Sequence, residues 1–138
     1  MKVRKAEILI VTNDKKYIFD ELFKNLLVTN CHKRYDEISF LLNDYRIKIV
    51  SNINESARGH RPEIVYIFND TDVKLEVLQE VIKPMCHMST RIEPVRIINS
   101  ISDIDILEML YDSYAENKCD KYRLNRFNEL IWKGNKLN

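Results

Sequence analysis

The chain begins with a charged pentapeptide and then runs Ala6 to Thr12 as a near-continuous apolar stretch closed by Asn13-Asp14. That pattern predicts a strand buried on both faces, followed at once by a helix start. From Lys15 to Val28 the apolar residues Ile18, Phe19, Leu22, Phe23, Leu26 and Leu27 recur at helical spacing and predict an amphipathic helix. The pattern then switches to alternation. EISFLL and YRIKIVS flank Asn43-Asp44 and predict a β-hairpin, although the loop lacks the glycine that the tightest turns prefer. Glu63 to Phe68 is another apolar strand. After it, Asn69, Asp70, Thr71 and Asp72 offer N-caps for a helix whose face is Val73, Val77, Leu78, Val81, Ile82 and Met85, and which stops around Pro84 to His87, where Pro84 bends or ends it. Val95 to Asn99 predicts one more buried strand. Ile104, Leu107, Leu110, Tyr111 and Tyr114 predict a further helix, and KYRLNRFNELIWK a last one with Phe127, Leu130 and Ile131 turned inward. Strands alternating with helices, plus one hairpin, imply an α/β fold of three layers with a mostly parallel sheet.

Composition narrows this picture. A length of 138 residues and a hydrophobic content of 45% suit a single α/β domain over 1–138, with a basic and aromatic C-terminal helix over 118–138. Charged residues make up 31% of the chain and nearly cancel to a formal net charge of +1, so any basic surface must be local. The apolar run near the N-terminus is too short for a signal peptide, and no stretch approaches the roughly 18 apolar residues of a membrane helix. A cytoplasmic protein with no membrane partner is therefore expected. The three cysteines, Cys31, Cys86 and Cys119, have no short paired spacing and fit reduced thiols. Abundant Lys, Asn, Ile and Asp with few Gly and Pro resemble the products of AT-rich bacterial or phage genomes.

One short segment carries more information than its neighbours. Ser56, Ala57, Arg58, Gly59, Arg61 and Pro62 lead directly into EIVYI. Together with the ILIVT strand, the LLNDYRI turn, the helix ending near Pro84 and the VRIIN strand, this resembles the ATPase domain of phage large terminases and their helicase relatives over about residues 6 to 100. In that family an S-A-R-G-x-R-P loop precedes the Walker B strand. The resemblance implies a P-loop ATPase-like scaffold, here without its catalytic chemistry. No G-x-x-x-x-G-K-[ST] motif is present to cradle a β-phosphate. Where the family places a magnesium-binding Asp and a catalytic Glu, this chain has Phe68 and Asn69. A phenyl ring cannot hold Mg²⁺ and an amide cannot take a proton from water. The expectation is a non-enzymatic protein without a cofactor that binds a host or phage protein in the bacterial cytoplasm as an inhibitor or accessory factor. The alternative is a module that binds a nucleotide, DNA or RNA. A homodimer, or a partner covering that edge, is a further expectation, because an edge strand beside the missing phosphate-binding unit would be unpaired.

The candidate site residues follow from these readings. Gly59 serves a tight turn in one reading; in the other, Arg58, His60 and Arg61 project around it and contact phosphate or an acidic surface. Arg123, Arg126 and Lys133 with Trp132 form a candidate nucleic-acid face, against the simpler reading of a solvated amphipathic helix. Thr12, Asn13, Asn69, Asp70 and Asn99 would line the carboxyl edge of a parallel sheet, where α/β proteins commonly hold ligands. Asp14, Asp70 and Asp72 are the carboxylates a Mg²⁺-dependent hydrolase would need, yet Asp14 and Asp72 are also ordinary helix-start residues. The pairs Cys31-His32 and Cys86-His87 lack zinc spacing, so no metal site is expected, and Cys86 is better read as a packed residue at a helix end. Neither Cys31 nor Cys119 has a base at motif spacing for covalent catalysis.

Overall fold

A computed structural model of the chain describes residues 6–26, 28–42, 45–53 and 61–106. Six strands form one mixed sheet: β1 Ala6–Val11, β2 Thr29–Lys33, β3 Glu37–Leu42, β4 Tyr45–Val50, β5 Pro62–Phe68 and β6 Val95–Ile98, in the spatial order β2-β3-β4-β1-β5-β6. The pairs β4–β1, β1–β5 and β5–β6 are parallel, whereas β2–β3 and β3–β4 are antiparallel. The expected mostly parallel sheet is thus a mixed one, and the α/β class holds. Helix α1 starts as Lys15–Ile18 and runs on as a π-helical turn over Phe19–Phe23. Helix α2 comprises Leu75–Val77, a π-helical turn Leu78–Ile82, Lys83–Met85 and a closing 3₁₀ turn Cys86–Met88.

The strand residues explain the layering. Ile8, Leu9, Ile10 and Val11 are all buried, as are Ile64 through Phe68, because β1 and β5 are covered on both faces. One core gathers Ile8, Ile10, Phe40, Ile47, Ile49 and Tyr66 against Ile18, Phe19 and Phe23 of α1. The opposite core gathers Leu9, Val11, Val65 and Ile67 against Val81, Ile82, Met85 and Cys86 of α2. The helices therefore sit on opposite faces of the sheet, which gives three layers.

Three local expectations need correction. The first helix ends at Phe23, not Val28, and the chain turns through Lys24–Leu26 into β2. Leu26 keeps the helical spacing because it packs into the same core from the turn, so periodicity outlasts the helix. Strand β2 itself went unforeseen, since all five residues of TNCHK are exposed and carry no alternation. It extends the hairpin to a three-stranded meander. Finally, none of Asn69 to Asp72 caps α2: its N-cap is Lys74, without a side-chain cap bond, while Thr71 Oγ1 donates to the Phe68 carbonyl at 2.6 Å. After the π turn the helix runs on through Pro84 to Met85 and closes two to four residues beyond the proline in the 3₁₀ turn. The helices expected from Ile104 and over 118–138 lie almost wholly outside the described residues.

Candidate functional site

The carboxyl ends of β1 and β5 lie side by side, but β1 feeds α1 on one face and β5 feeds α2 on the other. This is the topological switch point at which open α/β sheets form a crevice. Thr12, buried at 4% exposure, accepts the Asp14 backbone N–H at 3.2 Å, and Asp14 Oδ1 accepts the Tyr17 N–H at 3.1 Å. Asp14 is thus the helix N-cap that its position predicted. Asn13 Nδ2 donates to the Asp70 carbonyl at 2.9 Å, tying the end of β1 to the end of β5. Asn69 Nδ2 donates to Asn99 Oδ1, tying β5 to β6. Lys15 Nζ donates to Ser51 Oγ at 2.6 Å across to the end of β4. A concavity of about 450 Å³ opens between these ends, with Asn13, Ser51, Asn52, Asp72 and Lys74 among its walls.

Sequence reasoning placed Thr12, Asn13, Asn69, Asp70 and Asn99 along one edge, and the structure brings them together there. The edge is spanned by amide side chains, Asn69 on Asn99 and Asn13 on the Asp70 backbone carbonyl. Phe68 is buried in the core beside α1. Asp14, Asp70 and Asp72 do not converge: among the described residues, no three His, Cys, Asp or Glu side chains are grouped so as to hold a metal ion.

Of the loop candidates, Arg58, Gly59 and His60 lie outside the described residues, as do Arg123, Arg126, Trp132 and Lys133. Arg61 is described and exposed. Its Nη1 lies 3.2 Å from His87 Nε2, while His87 Nδ1 lies 2.9 Å from the Pro84 carbonyl oxygen. A carbonyl only accepts and a guanidinium only donates, so Nδ1 carries the proton and Nε2 is the acceptor. Arg61 therefore fastens the entry of β5 to the end of α2. Cys86 beside it is buried, and burial, reinforced by the negative charge of Glu63, pushes its thiol up to about 11. Cys31 is exposed on β2, and both are free thiols.

A second polar surface was not anticipated. On the α2 side of the sheet, the helix packs over β1 and β5 and the core reaches Val95 of β6 and Val50 at the end of β4, while among the described residues no helix covers β2, β3 and the rest of β4. Register aligns Leu9 with Lys48, Lys48 with Ser39 and Ser39 with His32, so the covered row passes directly into an open one. Asn30, His32, Arg34, Glu37, Ser39, Arg46 and Lys48 line a concavity of about 340 Å³ there. The signal was present in the alternation: the polar members of EISFLL and YRIKIV are the outward set. Comparisons of this chain with protein-family models, with curated proteins and with solved structures each found no match.

Proposed function

We propose that this chain works by binding another macromolecule and does not hydrolyse a nucleotide. The observation that carries the proposal is the end of β5. Phe68 is packed into the core, and the Asn69 amide is engaged with Asn99, at the two places where the terminase-like scaffold would hold its metal-binding and water-activating carboxylates. Asp70 follows with its backbone carbonyl bound to Asn13. A sheet and its covering helices can persist while the chemistry at their rim is replaced. On the resemblance, the role is that of a phage-encoded inhibitor or accessory factor on a degenerate ATPase scaffold. A phosphate-release assay with ATP, GTP and Mg²⁺ tests the reading, with Asp70→Asn as the paired variant. Release at the level of the buffer blank for both proteins is expected. Turnover by the wild type that Asp70→Asn abolishes would overturn the proposal and make Asp70 a functional carboxylate.

The alternative, a nucleic-acid-binding module, is favoured by one observation of its own: the open face of β2–β4 is polar and carries more positive than negative side chains.

A further inference from the structure

We infer that the open face of β2–β4 binds single-stranded nucleic acid, with Arg34, Arg46 and Lys48 on the phosphates. This rests on the binding reading above and names the partner and the surface. Strand alternation is the starting point. On the α1 side, β3 and β4 present Ile38, Phe40, Leu42, Tyr45, Ile47 and Ile49, all buried. Their opposite positions would be equally apolar if a helix covered them, as one does over β1 and β5. Four of the six are instead charged or hydroxylated, Glu37, Ser39, Arg46 and Lys48, with Arg46 exposed and the others half-buried, while Leu41 and Val50 are the apolar two.

The chemistry of the face selects the partner. Arg34, Arg46 and Lys48 line the concavity with one carboxylate, Glu37, and register sets a second, Glu7, beside Arg46 at its margin, so the cations still outnumber the carboxylates. Guanidinium groups pair with phosphate through two parallel hydrogen bonds, and Asn30, Ser39 and His32 add groups that match base edges or sugar hydroxyls. A protein partner would call for an apolar centre ringed by polar groups, whereas nucleic-acid interfaces are polar throughout and positively charged. Among the described residues the apolar lining of this concavity is the half-buried Leu41 and Phe40, the latter only 1% exposed. Tyr35, in the turn between β2 and β3 next to Arg34, is 99% exposed and offers a ring for base stacking. The surface is a shallow sheet face. A duplex groove is read by an inserted helix or ribbon, while splayed bases of a single strand can lie on a sheet.

The test is fluorescence anisotropy of labelled, mixed-sequence single-stranded RNA and DNA titrated with the full chain, at several salt concentrations. Three phosphate contacts give a slope of log affinity against log salt of about −2, so binding weakens about fifteenfold between about 50 and about 200 mM salt. Arg34→Gln with Arg46→Gln, both exposed and outside either core, is expected to reduce the slope to about −0.7. Tyr35→Ala is expected to weaken binding about fivefold or more at an unchanged slope. Circular dichroism confirms that the variants are folded, and Tyr35→Ala alone serves if the double variant is not. Absence of wild-type binding at low salt overturns the inference, as does binding that neither variant changes. Those failures leave the non-catalytic reading intact, because only nucleotide turnover bears on it.

Discussion

Phe40 is the side chain on which the β3 side of the molecule most depends. It is 1% exposed, its ring meets Phe19 edge-on at 5.3 Å between centroids and Phe23 at 4.8 Å, and it thereby seats the short helix α1 on the sheet. Truncation in Phe40→Ala removes a fully buried ring and leaves a cavity, for a loss of about 3–5 kcal/mol. The two ring pairs account for roughly 0.5–1.5 kcal/mol each within that total. A domain of this size has a total stability of about 5–15 kcal/mol, so the variant should be only marginally folded. With a urea dependence of about 2 kcal/mol per molar, the unfolding midpoint should fall by about 2 M. Phe40→Leu, which keeps most of the volume, should cost less than about half as much. Urea titrations followed by circular dichroism measure both, and a double-mutant cycle with Phe23→Leu isolates the ring contact. A loss below about 1 kcal/mol for Phe40→Ala would refute the reasoning. It would mean that α1 is not held to β3 through these rings. The same residue lies between Ser39 and Leu41 on the opposite face, so its seating also sets the register of the polar surface.

The two thiols should separate cleanly. Iodoacetamide at about pH 8, read by peptide mapping, should modify exposed Cys31 and spare Cys86, whose thiol is raised to about 11 by burial and by Glu63; rapid modification of Cys86 in the folded protein would contradict its burial. Because the Cys86 value lies above its ordinary one of 9.0, its contribution to stability is complete below about pH 9 and is lost as pH rises towards about 11. The resulting decline, on the order of 2–3 kcal/mol, should be absent in Cys86→Ala measured relative to its own stability near neutral pH. Asp14→Ala removes the side-chain cap of α1 and should cost about 1 kcal/mol, with Asp14→Asn nearly neutral; equal losses would assign the effect to charge and not to the cap bond.

Much of the fold was legible before any coordinates because burial on both faces leaves a continuous apolar run, and burial on one face leaves alternation. Ala6–Val11 and Pro62–Phe68 show the first pattern and Glu37–Leu42 with Tyr45–Val50 the second. Local capping chemistry likewise identified Asp14. Strand β2 was illegible because its residues bury nothing: it is a sheet edge whose pairing to β3 comes from the backbone, which leaves no side-chain signature. Its register shifts between Thr29 and His32, and Asn30 there adopts φ 51°, a left-handed conformation that Asn tolerates. Nor did periodicity reveal where α1 ends, since Leu26 packs from a turn as well as from a helix.

The sequence alone determined which residues are apolar and which strands need one covered face or two. Tertiary structure decided which strands are neighbours. Only that order puts Asn13 against Asp70 and Asn69 against Asn99, residues 57 and 30 positions apart. It also centres α2 on β1 and β5, so that among the described residues no helix covers the outward side chains of β3 and most of those of β4, beside those of β2. A local pattern records how each residue meets solvent, whereas a site is made from residues distant in the chain, and the packing of helices on a particular strand order brings them together.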